Sequence, residues 1–258
     1  FTVSADKVTV PAGGTATVDP QKAGPDGYYS AWLVATAGEA MVTTPIAVHK
    51  SPTLTSTWGE ASRTGNDILV AIPTFGDGSG HAGHWATDTA RTVLFGTGDV
   101  VGEIPLAGFG EFSVPAEEAG YRLTVDVEQS AWAYSTRISC AWTFRSGHTA
   151  EPEALPLMTV GFTPKVDESN RAEAGKRQRV PVTVRTVGGK TADLDSLTVE
   201  VSFDDGKTWS IRVTSNDGKW LAEIAHPAGA QHVSLRATAV DEDGNTVEET
   251  IIRAYGLK

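Results

Sequence analysis

His81 and His84, in the stretch HAGHW with Asp88 four residues further on, are the side chains of this sequence best suited to holding a metal. Zinc takes imidazole nitrogen and carboxylate oxygen in a tetrahedral shell. The surrounding FGDGSGHAGHWATD offers no third histidine and no helical H-E-x-x-H frame, and a glycine-rich loop is a poor rigid platform, so a solvated loop is expected there. A second oxygen-rich run, DEDGN at 241–245, presents Asp241, Asp243 and Asn245 in a calcium-like order. The EF-hand spacing continues to a Glu at the twelfth position, where this chain has Ile252, so the run is expected to be a hairpin turn. No metal and no other cofactor is expected.

Nucleophilic catalysis finds equally thin support. A serine nucleophile needs a local setting such as the G-x-S-x-G elbow, and GSGH at 78–81 lacks that frame. No glycine-rich loop follows a strand and opens a helix, so nucleotide binding has no motif to rest on. The carboxylate pairs Glu117/Glu118 and Glu248/Glu249 are adjacent in sequence; in a strand they point to opposite faces and cannot cooperate as acid and base. No catalytic residue is assigned.

The sharpest local motif is SFDDGKTWS at 202–210. It fits the Asp-box pattern S-x-D-x-G-x-T-W through Ser202, Asp204, Gly206, Thr208 and Trp209. Asp-boxes are best known from the bladed propellers of glycan-active proteins, where the motif recurs at blade spacing, about 40–50 residues. One copy is present here, so the expectation is a structural hairpin. Asp204-Asp205-Gly206-Lys207 is expected to turn the chain, with Gly206 free to take a positive φ, an Asp side chain able to hold nearby backbone N–H groups, and Trp209 able to cover the turn. Of the seven tryptophans most sit among strand-like apolar residues and are expected in cores. Trp85, in the glycine-rich loop, and Trp58 are the candidates for an exposed platform that would stack a sugar.

These residues need a scaffold, and composition limits its kind. The 258 residues suggest two or three small domains. A net charge of −11 argues against nucleic acid, whose binding rests on clustered Lys and Arg, and against an anionic membrane surface. No apolar run approaches the roughly 18–20 residues of a transmembrane helix. The single cysteine, Cys140, has no partner for an internal disulfide; its strand-like setting RISCAWTF suggests a buried, inert thiol. The first residue is Phe1, and no signal peptide is present, so the chain is read as trimmed or processed.

Periodicity is that of strands throughout. Residues 1–50 offer about four strands, half of a sandwich. Upstream strands of the same polypeptide, or another chain, are therefore expected to cover Val8, Val10, Leu33, Val34 and Ile46. Residues 51–154 read as a middle β-sandwich. Residues 155–258 hold seven short strand candidates and read as a fibronectin-III or immunoglobulin-like sandwich. The fold class expected is all-β, built of tandem β-sandwich domains.

Several stretches together resemble a known family. VTVPAGGTATV, PDGYYSAWLVATAG and TPIAVHK, then VPAEEAGYRLTVDVEQS and STRISCAWTFRS, then VEVSFDDGKTW, HPAGAQHVSLRATAVDEDGNTV and IIRAYGL occur in this order. They resemble the C-terminal non-catalytic β-sandwich region of large secreted subtilisin-like serine peptidases of high-GC Gram-positive bacteria. The resemblance implies an extracellular accessory region that stabilises, positions or targets a subtilisin-like catalytic domain. The family's catalytic Asp, His and Ser lie in D-T/S-G, H-G-T-H and G-T-S-M settings, and none of these occurs here: HAGH is not H-G-T-H. The alternative is a secreted adhesive or carbohydrate-binding protein, with a cell-wall or extracellular polymer as partner and Trp85 and Trp58 as its platform.

Overall fold

The structure, a computed structural model, describes residues 60–76, 82–83, 87–131, 133–167, 169–211, 213–216 and 219–258, together with strand backbone at 2–3, 20–21, 27–37 and 40–50. The chain divides into two compact units, residues 1–55 and 56–258. In the first, β1 (Thr2–Val3) pairs with β2 (Pro20–Gln21), and β3 (Gly27–Ala37) pairs antiparallel with β4 (Ala40–Lys50) along its full length. The side chains of Val8, Val10, Leu33, Val34 and Ile46, for which a covering partner was expected, lie outside the described residues.

The second unit begins with β5 (Glu60–Gly65), β6 (Asp67–Ala71), β7 (Phe75–Gly76) and β8 (Ala82–Gly83). It continues through β9 (Thr89–Gly96), β10 (Asp99–Ile104), β11 (Phe109–Ser113), β12 (Ala119–Glu128), β13 (Arg137–Ser146) and β14 (Thr149–Ala154). Then come β15 (Met158–Phe162), β16 (Arg171–Ala172), β17 (Arg177–Thr186), β18 (Leu194–Ser202), β19 (Ser210–Ile211) and β20 (Val213–Asn216). The chain ends with β21 (Lys219–Ala225), β22 (His232–Asp241) and β23 (Thr246–Leu257). Every described element is a strand, and the architecture is all-β, as the alternating sequence predicts.

A nine-stranded sheet dominates, in the order β10-β9-β12-β13-β23-β22-β18-β19, with β16 parallel to the end of β23. Two four-stranded sheets, β11-β6-β5-β14 and β15-β17-β21-β20, complete the layers. Period-2 burial identifies the inner face of the large sheet: Tyr121, Leu123, Val125 and Val127 of β12 are all buried, while Arg122, Asp126 and Glu128 between them are exposed. One contiguous core runs under both smaller sheets, from Ile68 and Val70 through Leu123 and Trp142 to Val180, Ile224, Leu235 and Val247. The division expected at 154/155 falls inside this unit. Residues Arg137–Thr143 of β13 pair antiparallel with Thr246–Ile252 of β23, so one sheet is continuous across that point.

Several polar groups in the interior are held by specific partners, whereas, among the described residues, Arg63 Nη1 and the Tyr121 hydroxyl are buried without one. The Trp142 indole donates to the Met158 carbonyl at 2.6 Å, fixing the large sheet to β15. Arg63 is fully buried, its Nε on the Gly65 carbonyl (3.1 Å) and one terminal nitrogen on the Pro115 carbonyl (2.6 Å). Cys140 and Glu249 are register partners on the inner face, between Ile138 and Trp142 on one strand and between Val247 and Ile251 on the other. Burial, and after it the nearby Glu249 and Asp126, push the Cys140 thiol well above its ordinary value, so it stays protonated and unreactive.

Candidate functional site

The Asp-box folds as a closed hydrogen-bonded hairpin between β18 and β19. Ser202, buried at the end of β18, places its Oγ to accept from the Gly206 N–H (2.9 Å) and donates to Asp204 Oδ1 (2.7 Å). Asp204 accepts the Thr208 N–H on Oδ1 (2.9 Å) and the Thr208 hydroxyl on Oδ2 (2.6 Å). Those bonds, the Thr208 hydroxyl foremost, hold the Asp204 carboxyl at about 2. Asp205 and Gly206 take positive φ, 57° and 83°. A side chain on Gly206 would meet Ile252 Cδ1 at 2.8 Å, so glycine is required both by the turn and by its neighbour.

The hairpin is tied to the last strand and carries an aromatic wall. Arg253, itself at φ 58°, donates Nε and a terminal nitrogen to the Asp205 carboxylate at 2.9 and 2.7 Å. The Trp209 indole donates to the Gly206 carbonyl at 2.9 Å, which locks the ring over the turn. The Arg236 guanidinium lies 4.5 Å from the centroid of that ring, held there by its Nε on Glu200 at 2.7 Å.

Trp209, Gly206 and Ile252 form one end of a groove of about 630 Å3 on the outer face of the large sheet. Sheet register builds its floor as two cross-strand rows. One row runs Thr89, Glu128, Arg137, Ile252 and the other Arg91, Asp126, Ser139, Thr250, Arg236. At the far end Arg91 is clamped by Glu103, with two bonds of 2.6 and 2.8 Å. Asp126, Glu128 and Arg137 are exposed and, among the described residues, hold no ion pair. A strip of fixed cations at both ends and free acceptors and a donor between them suits a neutral ligand rich in hydroxyl groups.

Other sequence-level candidates separate clearly. Asp241 is a turn organiser: Oδ1 accepts the N–H groups of Asp243 (3.1 Å) and Asn245 (2.7 Å), and Oδ2 accepts the Asn245 amide at 2.8 Å. Asp243 is exposed on the tip of that turn. Among the described residues no group of three His, Cys, Asp or Glu is placed to hold a metal. His81, His84, Trp85 and Trp58 lie outside the described residues. His148 meets Asn66 at 2.9 Å. His226 is buried, with Nδ1 on the Glu173 carbonyl (3.1 Å) and Nε2 on the Tyr255 hydroxyl (2.9 Å), so the tautomer carries its proton on Nδ1 and accepts from Tyr255. Burial lowers its pKa below the usual range.

The amino-acid pattern points to the hairpin but not to the groove, whose residues span positions 89–252. Their common signal is the exposed parity of each strand; which strands adjoin is not written in that parity. Comparison of the chain with protein-family models, curated proteins and solved structures finds no match.

Proposed function

We propose that this chain is the non-catalytic C-terminal accessory region of a secreted subtilisin-like serine endopeptidase, where it stabilises, positions or targets the catalytic domain. One observation carries the reading. Five of the family-like stretches, 114–130, 135–146, 199–209, 226–247 and 251–257, are scattered over half the chain, yet they supply the strands β12, β13, β18, β22 and β23 of a single sheet. Stretches that resemble one family in order, and that also assemble into one structural body, support a common origin better than any of them alone. In this reading the layers β15-β17-β21-β20 and β23-β22-β18 are a fibronectin-III or immunoglobulin-like sandwich.

Subtilisin-like hydrolysis needs a Ser activated by a His that an Asp orients, with oxyanion donors beside it. The accessory reading places all of these upstream. Residues 1–258 alone are expected to cleave no peptide substrate and to take up no serine-directed fluorophosphonate, whereas a longer natural product carrying the upstream domain does both. Labelling of one serine within residues 1–258, abolished by one histidine substitution, overturns the proposal. So does an upstream sequence without a G-T-S-M segment.

A further inference from the structure

We propose that the outer face of the nine-stranded sheet binds a linear, neutral, β-linked glycan laid across the strands, between Arg91 and Trp209. The inference does not depend on the accessory reading: it rests on the geometry and charge of the groove, not on the family resemblance.

The groove's dimensions come first. Its volume of about 630 Å3 lies within the roughly 300–1,000 Å3 of small-ligand sites. It crosses five adjacent strands, β9, β12, β13, β23 and β22. At about 4.8 Å between neighbouring strands the floor is about 19 Å long, and its polar groups repeat at a spacing close to the length of one hexose in an extended β-linked chain. A ligand with one set of hydroxyls per repeat is thus matched rung by rung.

Charge and preorganisation then select the ligand class. The floor holds three guanidinium groups, Arg91, Arg137 and Arg236, against the free carboxylates Asp126 and Glu128 and the tethering carboxylates Glu103 and Glu200. With cations and anions so nearly balanced, a polyanion gains little there, and so does a polycation. Hydroxyl groups, which both donate and accept, satisfy the carboxylates and the guanidinium of Arg137 equally. Arg91 is fixed by Glu103; Arg236 is fixed between Glu200 and the Trp209 ring. These donors are ordered before any ligand arrives, which removes part of the entropic cost of binding. Trp209, half-buried and immobilised by its bond to Gly206, closes the end with an apolar edge of the kind sugar C–H faces contact.

The test is affinity electrophoresis of the 258-residue chain in gels containing hydroxyethylcellulose, arabinoxylan or glycol chitin. Dextran serves as the α-linked comparator and heparin as the polyanion. Retardation by at least one of the three β-linked polymers is expected. It should weaken about tenfold or more in Asp126→Ala/Glu128→Ala and in Arg137→Ala, the loss expected when one or two charge-assisted hydrogen bonds are removed. Glu223→Ala, on the other layer, should leave it unchanged. All four side chains are exposed, so thermal unfolding of each variant should match the parent; Arg137→Ala decides alone if the double variant fails to fold. Passage unretarded through all three gels overturns the proposal, as does retardation that survives both groove variants, or retention by heparin alone that is released by salt.

Discussion

Glu249 is the sharpest place to test the interior, because its environment and its chemistry disagree. It sits on the inner face of β23 opposite Cys140 and Ala237, with the Val160 N–H as the donor that favours its charged form. Burial outweighs that bond and raises the carboxyl from 4.5 to about 7. Between 4.5 and about 7 the folded chain holds a proton that the unfolded chain has released, so stability from this group is full below 4.5 and is lost as pH rises through about 7. At about 1.36 kcal/mol per pKa unit the full effect is about 3 kcal/mol. Because the side chain is half-buried rather than sealed, about 2 kcal/mol is the better expectation. Glu249→Gln keeps the shape and the acceptor for Val160 but cannot ionise. Urea unfolding followed by tryptophan fluorescence, at matched ionic strength, should show the variant gaining about 2 kcal/mol on the parent between pH 4.5 and pH 8. His226 titrates in both proteins and cancels from the difference. A gap that stays constant with pH, or that moves the other way, would show that Glu249 is ionised in the fold and that its placement between the layers is wrong.

Three further outcomes are expected. Gly108 has φ 70°, and a Cβ there would lie 2.0 Å from the Ile72 carbonyl oxygen, so Gly108→Ala should lose more than about 3 kcal/mol in urea unfolding; Gly98→Ala, with open space at φ 100°, should lose only about 1–2 kcal/mol. Trp209→Ala removes a half-buried ring, its bond to Gly206 and the Arg236 contact, and should cost about 2 kcal/mol by the same assay, roughly half the loss for a fully buried tryptophan. The His226 ring, followed by proton NMR, should titrate below 6.5 because burial disfavours its charged form; its contribution to stability is full above 6.5 and is lost as pH falls toward the folded value, and a midpoint above 6.5 contradicts the buried tautomer.

How much of the molecule was legible in the sequence depends on whether a feature is local. The Asp-box hairpin was readable because the hydrogen bonds that shape its turn close within eight residues, Ser202 to Trp209; its tie to Arg253 lies outside that window. The strands of YRLTVDVEQ and HVSLRATAVD were readable because alternation reports which side chains face inward. Glu249 carried a signal in the same alternation: Val247 and Ile251 flank it at the same parity, which places a carboxyl on the apolar side. Arg63 gave less away, since a lone arginine in EASRTG looks like any exposed strand residue, and its burial depends on the distant Pro115 carbonyl. Strand partnership was the real gap. That β13 lies beside β23, more than a hundred positions later, comes from packing two apolar faces together and leaves no mark on either strand.

That partnership also explains why the groove belongs to the whole unit rather than to either half. Arg91, Asp126, Glu128, Arg137 and Ser139 come from residues before 155, and Thr250, Ile252, Arg236 and Trp209 from residues after it. Each set alone is an ordinary polar sheet face. Joined through the β13–β23 register, they become a floor with fixed cations at both ends and unpaired acceptors in the middle. The Asp-box then has a role beyond closing its own turn. Its backbone holds Trp209, its Asp205 anchors Arg253 on β23, and its Gly206 leaves room for Ile252. The motif thereby fixes the end wall against the strand that joins the two halves. Loosening the hairpin should therefore act on the groove even where the sheet itself is untouched.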